Sequence, residues 1–246
     1  MVAPTSNLRS NEPMSTASFR FPAQLARFLR PEHRGRPFPY SCARSASLKN
    51  AIEALGVPHT EVGEVRVNGA AATLQRIVRE GDEVEVLAPR PAAEEPLAFI
   101  ADAHLGALAR FLRMLGFDTA HEPNFPDRAI RRLAQEDNRI VLTRDRDLLK
   151  CRDIARGYYV RAIKPEQQLQ EVAVRYGLAA YARPFTLCLH CNLPLAPIHK
   201  AAIAHRLPER VVALHENFTH CAGCDRVYWP GSHYERMRAA LAPIVP

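Results

Sequence analysis

Between residues 97 and 180, short continuous runs of apolar residues alternate with stretches in which apolar residues recur every three or four positions. Continuous runs are typical of strands buried on both faces, and the wider spacing is typical of helices that cover them. The predicted strands are residues 97–101, 117–121, 139–143 and 157–160. The predicted helices carry Leu105, Leu108, Leu112 and Leu115 before Gly116, then Ile130, Leu133 and Ala134 after Asp127 as N-cap, then Leu169, Val172 and Ala173 after Pro165. This order predicts an α/β fold, a parallel sheet flanked by helices.

Residues 16–90 show period-two alternation in short segments around a single helix. The alternation occurs at residues 18–21, 64–67 and 83–87, and Asn68-Gly69 is a tight-turn signal. Ser47 is the expected N-cap of the helix, which ends at Gly56. These features predict an α+β unit that resembles the β-grasp fold of ubiquitin-like sulfur carriers.

The end of this unit differs from a sulfur carrier. Those carriers need a free Gly-Gly tail, whereas residues 87–91 read Leu-Ala-Pro-Arg-Pro and the chain continues. We therefore expect the unit to bind a protein partner or to guide a substrate.

Composition marks the remaining boundaries. Residues 1–15 lack the apolar centre of a secretory signal and are expected to be a flexible leader. Residues 91–96 are rich in proline and charge and are expected to be a linker. The predicted organisation is a leader (1–15), a β-grasp domain (16–90), a linker (91–96), an α/β domain (97–180) and a cysteine-containing domain (181–246).

The chain is basic, with 33 Lys and Arg against 26 Asp and Glu and a net charge of +7. This balance favours an anionic partner such as nucleic acid, although the excess is spread evenly over the three domains. No apolar run approaches the roughly 20 residues of a membrane helix, so no membrane partner is expected. Without an export signal, a cytoplasmic location is predicted. Paired cysteines in that reducing compartment bind metal more often than they form disulfides.

Four aspartates follow predicted strands or open the next helix. Asp102 follows the first strand, Asp145 and Asp147 follow the third, and Asp127 opens the helix after the second. Because the carboxyl ends of parallel strands share one edge, these acids are expected to converge there. Close carboxylates repel one another unless a cation such as Mg²⁺ or Mn²⁺ neutralises them. The pattern predicts a catalytic metal site, with Asp102 and Asp145 as its ligands, that activates water against a phosphodiester.

Several of these residues also have a structural interpretation. Asp127 fits a helix cap equally well, and Asp147 fits a cap of the short segment that follows it. Arg144 and Arg146 are candidates to bind RNA phosphate, or else solvated neighbours of the acids.

Two C-x2-C motifs lie in the last domain, Cys188 with Cys191 and Cys221 with Cys224. Four thiolates at this spacing suit tetrahedral zinc, and a site with four protein ligands is structural rather than catalytic. His190 and His220 lie in or beside the motifs and are expected to be bystanders. The aromatic residues at 228–229 either stack on bases or pack over the zinc site.

Three segments of the α/β domain form a recognisable pattern: FIADAHLG at 99–106, LARFLRMLGFDT at 108–119 and IVLTRDRDLL at 140–149. Together they resemble the Mut-seven C-terminal RNase domain of the PIN-like superfamily, which often has an N-terminal ubiquitin-like domain and a C-terminal zinc ribbon. The resemblance implies a PIN-like ribonuclease domain and places Asp102, Asp127, Asp145 and Asp147 on its metal-binding acidic positions. An acidic pair that the family often has before the second helix is represented here by Asp127 alone.

The resulting hypothesis is an endoribonuclease that hydrolyses RNA phosphodiesters with Mg²⁺ or Mn²⁺ and contains structural Zn²⁺. The alternative is a non-catalytic RNA-binding or adaptor protein that uses the zinc ribbon and the β-grasp domain.

Overall fold

The computed structural model describes residues 16–42, 45–90 and 97–245, so the predicted leader and linker lie outside the described residues. The chain divides into two compact units, Met1–Pro89 and Arg90–Pro246. Among the described residues, no helix is both long and apolar enough to cross a bilayer.

The first unit contains a five-stranded mixed sheet and one α-helix. Its elements are β1 (Thr16–Arg20), β2 (Phe38–Ser41), α1 (Leu48–Ala54), β3 (Val65–Val67), β4 (Ala70–Ala72) and β5 (Glu83–Val86). The strand order is β2-β1-β5-β3-β4, in which β1 and β5 are parallel and the other pairs are antiparallel. This is the arrangement expected of a β-grasp domain.

Local signals in the sequence account for two features of this unit. Ser47 caps α1, because its hydroxyl accepts a hydrogen bond from the backbone N–H of Asn50 at 3.2 Å. Asn68 and Gly69 have φ angles of +54° and +81°, which permit the tight turn between β3 and β4. Both predictions are confirmed.

The second unit is built on a four-stranded parallel sheet with the order β7-β6-β8-β9. The first elements in chain order are β6 (Phe99–Ala101), α2 (Gly106–Met114), β7 (Thr119–Ala120), α3 (Asp127–Glu136), β8 (Ile140–Thr143), α4 (Arg146–Leu149), β9 (Gly157–Tyr159) and α5 (Pro165–Tyr176). A helix after every strand of a parallel sheet confirms the predicted α/β fold.

Apolar side chains form one layer on each face of this sheet. The first layer contains Phe99, Leu142, Leu108, Leu112, Leu169 and Val172. The second contains Ile100, Val141, Ile130, Leu148 and Ile154. Helices α2 and α5 therefore cover one face, while α3 and α4 cover the other. Burial on both faces explains why the strands are continuous apolar runs in the sequence.

The prediction that Asp127 is the N-cap of α3 is wrong. Pro126 occupies the N-cap position with an extended backbone (φ −75°, ψ 148°), and no side chain caps the helix. Proline fixes φ near the helical value and lacks an N–H, so the helix begins directly after it. Asp127 is instead the first helical residue, where its negative charge interacts favourably with the helix dipole.

The last part of the second unit is a three-stranded antiparallel sheet with the order β10-β11-β12. Its elements are β10 (Leu195–Ile198), α6 (Lys200–Ile203), α7 (Glu209–Leu214), β11 (Phe218–Cys221), β12 (Val227–Tyr228) and α8 (Ser232–Leu241). Backbone hydrogen bonds of 2.8 Å from Arg183 to Leu115 and from Phe185 to Met114 attach the preceding segment to the end of α2. Gly116 makes this approach possible, since it has φ of +88° and a Cβ there would collide with the Arg183 carbonyl.

Candidate active site and metal centre

Asp102 and Asp145 lie at the same edge of the parallel sheet and are connected through Thr143. The strands β6 and β8 are neighbours, and the backbone N–H of Asp102 donates to the carbonyl of Leu142 at 2.9 Å. The buried Thr143 hydroxyl donates to Asp102 Oδ2 at 2.7 Å and accepts from the backbone N–H of Asp145 at 2.9 Å. Sequence reasoning missed Thr143, although a lone polar residue in an apolar strand was a usable signal.

Asp145 also caps α4. Its Oδ1 accepts hydrogen bonds from the backbone N–H groups of Asp147 at 2.7 Å and Leu148 at 3.3 Å. The cap of this short segment is therefore Asp145, whereas Asp147 lies in the first turn of α4. The Asp147 side chain is 89% exposed and forms an ion pair with Lys150 at 3.1 Å. Asp145 thus has one carboxylate oxygen, Oδ1, that caps α4 and a second, Oδ2, that can bind a ligand.

Asp127 is exposed at the start of α3. Burial raises the pKa of the nearby Cys151 thiol, and the carboxylates of Asp153, Asp127 and Asp145 raise it further while Arg131 lowers it. Asp127 and Asp145 therefore both lie close enough to the Cys151 thiol to affect it electrostatically. Among the described residues, however, the aspartates form no group of three or more whose ligand atoms lie within 4.8 Å of one another. The pair that the structure connects by hydrogen bonds is Asp102 and Asp145, through Thr143.

The two candidate RNA-binding arginines each contact another part of the same edge. Arg144 is exposed and donates from Nη1 to the carbonyl of Ala162 at 3.1 Å. The Arg146 guanidinium lies over the Tyr159 ring, 5.6 Å from its centroid. Both arginines are adjacent to Asp145 in the chain, and each has a contact that orients its side chain.

Four cysteines form a compact cluster in residues 181–245, the part of the second unit that is called the ribbon below. The Sγ atoms of Cys188, Cys191, Cys221 and Cys224 all lie within 4.8 Å of one another. The Sγ–Sγ distances are 3.4 Å for Cys188–Cys191, 3.1 Å for Cys191–Cys221 and 3.5 Å for Cys188–Cys224, and none of the four forms a disulfide. Zinc at about 2.3 Å from each sulfur separates tetrahedral ligands by about 3.8 Å. The cluster is therefore arranged to bind a structural metal such as zinc.

The surroundings of Cys188 favour the thiolate that metal binding requires. Burial raises its pKa, but hydrogen bonds from the backbone at Cys191 and His190 and from the Tyr228 hydroxyl outweigh that effect and lower the pKa to about 6. The Tyr228 oxygen lies 3.2 Å from Cys188 Sγ, so this aromatic residue packs over the cysteine cluster. Since thiolate is the ligand form of cysteine, these contacts prepare the cluster for a cation.

Two models of known families match the chain. A model of the Mut7-C RNAse domain matches residues 97–241, which is more than half of the chain. The chain belongs to the Mut7-C RNAse domain family. A model of the Mut7-C ubiquitin domain matches residues 14–95. No curated protein matches the chain, and neither does any solved structure.

A buried arginine joins the sheet of the Mut7-C RNAse domain to the cysteine cluster. Arg113 of α2 donates from Nε to the carbonyl of Thr119 at 2.9 Å, and from Nη1 to those of His190 at 2.8 Å and Leu189 at 3.2 Å. Burial lowers the pKa of its guanidinium, and the charges of Cys188 and Cys191 partly oppose that shift. An arginine stays protonated in either case. Its charge offsets that of the thiolates.

Asn192, directly after the first cysteine pair, makes a second connection. Its Oδ1 accepts from the backbone N–H of Thr119 at 3.0 Å, and its Nδ2 donates to Asp118 Oδ1 at 2.5 Å. Asn192 has φ of +64°, a conformation that asparagine tolerates better than most residues. The loop between the cysteines and β10 is thereby fixed to the end of β7.

We expect Arg113→Met to destabilise the ribbon by about 3 kcal/mol, because one buried and two partly buried carbonyls lose their donor. Urea unfolding followed by fluorescence measures this effect selectively, since Trp229 is the one tryptophan of the chain and lies in the ribbon. Arg110→Met is the matched control, as Arg110 is exposed on the same helix. If the midpoint of Arg113→Met equals that of the parent, the three hydrogen bonds contribute nothing to ribbon stability.

Proposed function

We propose that the protein is a metal-dependent endoribonuclease whose active centre is the edge that carries Asp102 and Asp145. The observation that supports this most is the hydrogen-bonded connection from Asp102 through Thr143 to Asp145. It joins the Asp102 carboxylate to the backbone of Asp145, so that two acids follow neighbouring strands at the edge where a divalent ion would bind.

The donor set suits a hard cation. Asp102 Oδ1 lies 4.0 Å from His104 Nδ1, and neither this oxygen nor Asp145 Oδ2 accepts a hydrogen bond from the described residues. Mg²⁺ and Mn²⁺ are commonly held by one or two carboxylates, with waters and substrate phosphate completing the coordination. When bound, such an ion would polarise the phosphodiester and lower the pKa of a bound water.

The protein residues then have distinct roles. Thr143 and the first turn of α4 orient the two carboxylates, so that their free oxygens keep one position. Asp127 and Asp147 are proposed to bind the ion through water, because both side chains are exposed near the same edge. Arg144 and Arg146 are proposed to contact the RNA phosphates on either side of the cut.

One observation favours a second candidate, an RNA-binding or adaptor protein without catalysis. The contact of Asp102 with Thr143 and the capping of α4 by Asp145 give each acid a structural role that needs no metal. In that case the aspartates stabilise loops, while the zinc ribbon and the ubiquitin-like unit bind the partners.

Cleavage of single-stranded RNA under different divalent ions separates the two candidates. The nuclease is expected to cut when Mn²⁺ or Mg²⁺ is added and to stop when neither ion is present. Strong chelators are avoided so that zinc stays bound. RNA binding without cleavage in either ion would support the adaptor and exclude the nuclease.

A further inference from the structure

A groove runs along the exposed side of α2, between that helix and the ribbon with α8. It consists of two adjoining cavities of about 1000 Å³ and 490 Å³. Arg110 and His233 line both cavities, so the two open onto one continuous surface. Two adjoining cavities of this size suit an extended chain better than one compact ligand.

The groove contains four arginines and two glutamates, besides three histidines. Of the described residues that line it, the charged ones and the histidines are Arg110, Arg113, Arg226, Arg236, His121, His190, His233, Glu122 and Glu166. A zinc ion with four thiolates carries two negative charges, which the buried Arg113 and the Cys224-bound Arg226 offset. The charged residues that remain are the exposed arginines Arg110 and Arg236 and the exposed glutamates Glu122 and Glu166, so the attraction for an anion is local to the two arginines.

Arg110 lies where the two cavities meet. Its side chain is exposed and has no hydrogen-bond or ion-pair partner among the residues that the structure describes. A guanidinium without an acidic partner is well suited to bind a phosphate through two parallel N–H groups.

One end of the groove reaches the candidate active edge. Gly106 and His121 line that end, and they lie so close that a Cβ on Gly106 would come 2.9 Å from His121 Cε1. A ring nitrogen of His121 lies 3.2 Å from the carbonyl of Ala103, the residue after Asp102. A chain lying in the groove is therefore directed towards Asp102.

The apolar part of the lining indicates which polyanion fits. Phe111 and Met114 of α2 and Met237 of α8 line the smaller cavity, and Phe125 and Tyr228 line the larger. Aromatic and apolar side chains bind unstacked bases, whereas a duplex keeps its bases stacked inside. An acidic peptide could form ion pairs with the arginines, but its carboxylates would make no favourable contact with the aromatic and apolar side chains of the lining.

We propose that this groove binds single-stranded RNA and directs it to the edge with Asp102 and Asp145. Phosphates contact Arg110 and Arg236, and bases contact the apolar lining. The direction towards cleavage rests on the proposed function, whereas binding in the groove needs no catalytic metal.

Binding of a fluorescent oligouridine, measured by anisotropy without added Mg²⁺ or Mn²⁺, tests the proposal on the full chain. We expect Arg110→Glu to weaken binding at least tenfold, and Arg110→Gln to reduce the slope of log Kd against log salt by about 0.7, as for one lost phosphate contact on a single strand. A duplex of the same length is expected to compete poorly.

Arg132→Gln and Arg132→Glu are the matched controls, since Arg132 is 67% exposed on α3 and lies outside the groove. Both should bind as the parent does. Parental affinity in Arg110→Glu, equal losses at Arg132, or no binding by the parent would each overturn the groove proposal. Loss of cleavage with normal Arg110-dependent binding would overturn only the nuclease function.

Discussion

Asp102→Asn is expected to lower the rate of RNA cleavage by about a thousandfold, which corresponds to about 4 kcal/mol of transition-state stabilisation. Asparagine is isosteric and its amide oxygen can still accept the Thr143 hydroxyl, so the loop after β6 should keep its conformation. What it loses is the negative charge that a divalent ion needs. The initial rate with saturating Mn²⁺, compared with the parent purified in the same way, measures this effect.

Two further variants make the result specific. Asp137→Asn removes a charge from an exposed aspartate that precedes β8, at the opposite end of that strand, and should cleave at the parental rate. Thr143→Val should lose about 10- to 100-fold, because it leaves both acids in place but removes the hydroxyl that orients Asp102. An Asp102→Asn protein that cuts as fast as the Asp137→Asn protein would remove Asp102 from the mechanism.

Removal of zinc is expected to unfold the ribbon. Buried apolar side chains are few there, with Ile203, Phe218 and Leu241 the main ones among the described residues, so burial alone supplies little stability. Structural zinc contributes about 10–16 kcal/mol of apparent binding free energy in comparable small domains. Elemental analysis should find about one zinc per chain in the parent and well below that in Cys188→Ser. Protons compete for the thiolates, so zinc affinity should fall as the pH falls.

Cys151→Ser is the matched control for zinc, since Cys151 is a partly exposed cysteine of the same unit outside the cluster. It should keep the parental zinc content and the parental Trp229 emission. Cys188→Ser should show the emission of a solvent-exposed tryptophan and rapid hydrogen exchange in β11. A Cys188→Ser protein with full zinc content and protected β11 amides would contradict the proposed metal centre.

The sequence predicted the parallel sheet because both faces of each strand are covered, which leaves a continuous apolar run that is easy to recognise. Strands β2 and β4 left no such signal. The first contains Pro39, which is unfavourable in a strand, and the second consists of Ala70–Ala72, without alternation. Both strands are defined by pairing with β1 and β3 rather than by their own composition.

The candidate acids were recognisable because each stands next to an element with a clear pattern. The residues that position them and the ribbon were not, since their partners are distant in the chain. Thr143 contacts Asp102 across 41 positions, and Arg113 reaches His190 across 77. In a helix whose other arginine, Arg110, is exposed, Arg113 looks like a surface residue. Only the folded arrangement shows that it is buried beneath the first cysteine pair.

The amide of Asn192 has a consequence for self-association. β7 is the outermost strand of its sheet, and an outermost strand normally offers its unpaired backbone groups to another chain. Here the Thr119 N–H donates to Asn192 and the Thr119 carbonyl accepts from Arg113. The loop that carries the first cysteine pair therefore covers the edge at which a strand of another chain would pair. A molecule that lost its zinc would release this loop and uncover a template for aggregation within an otherwise intact sheet.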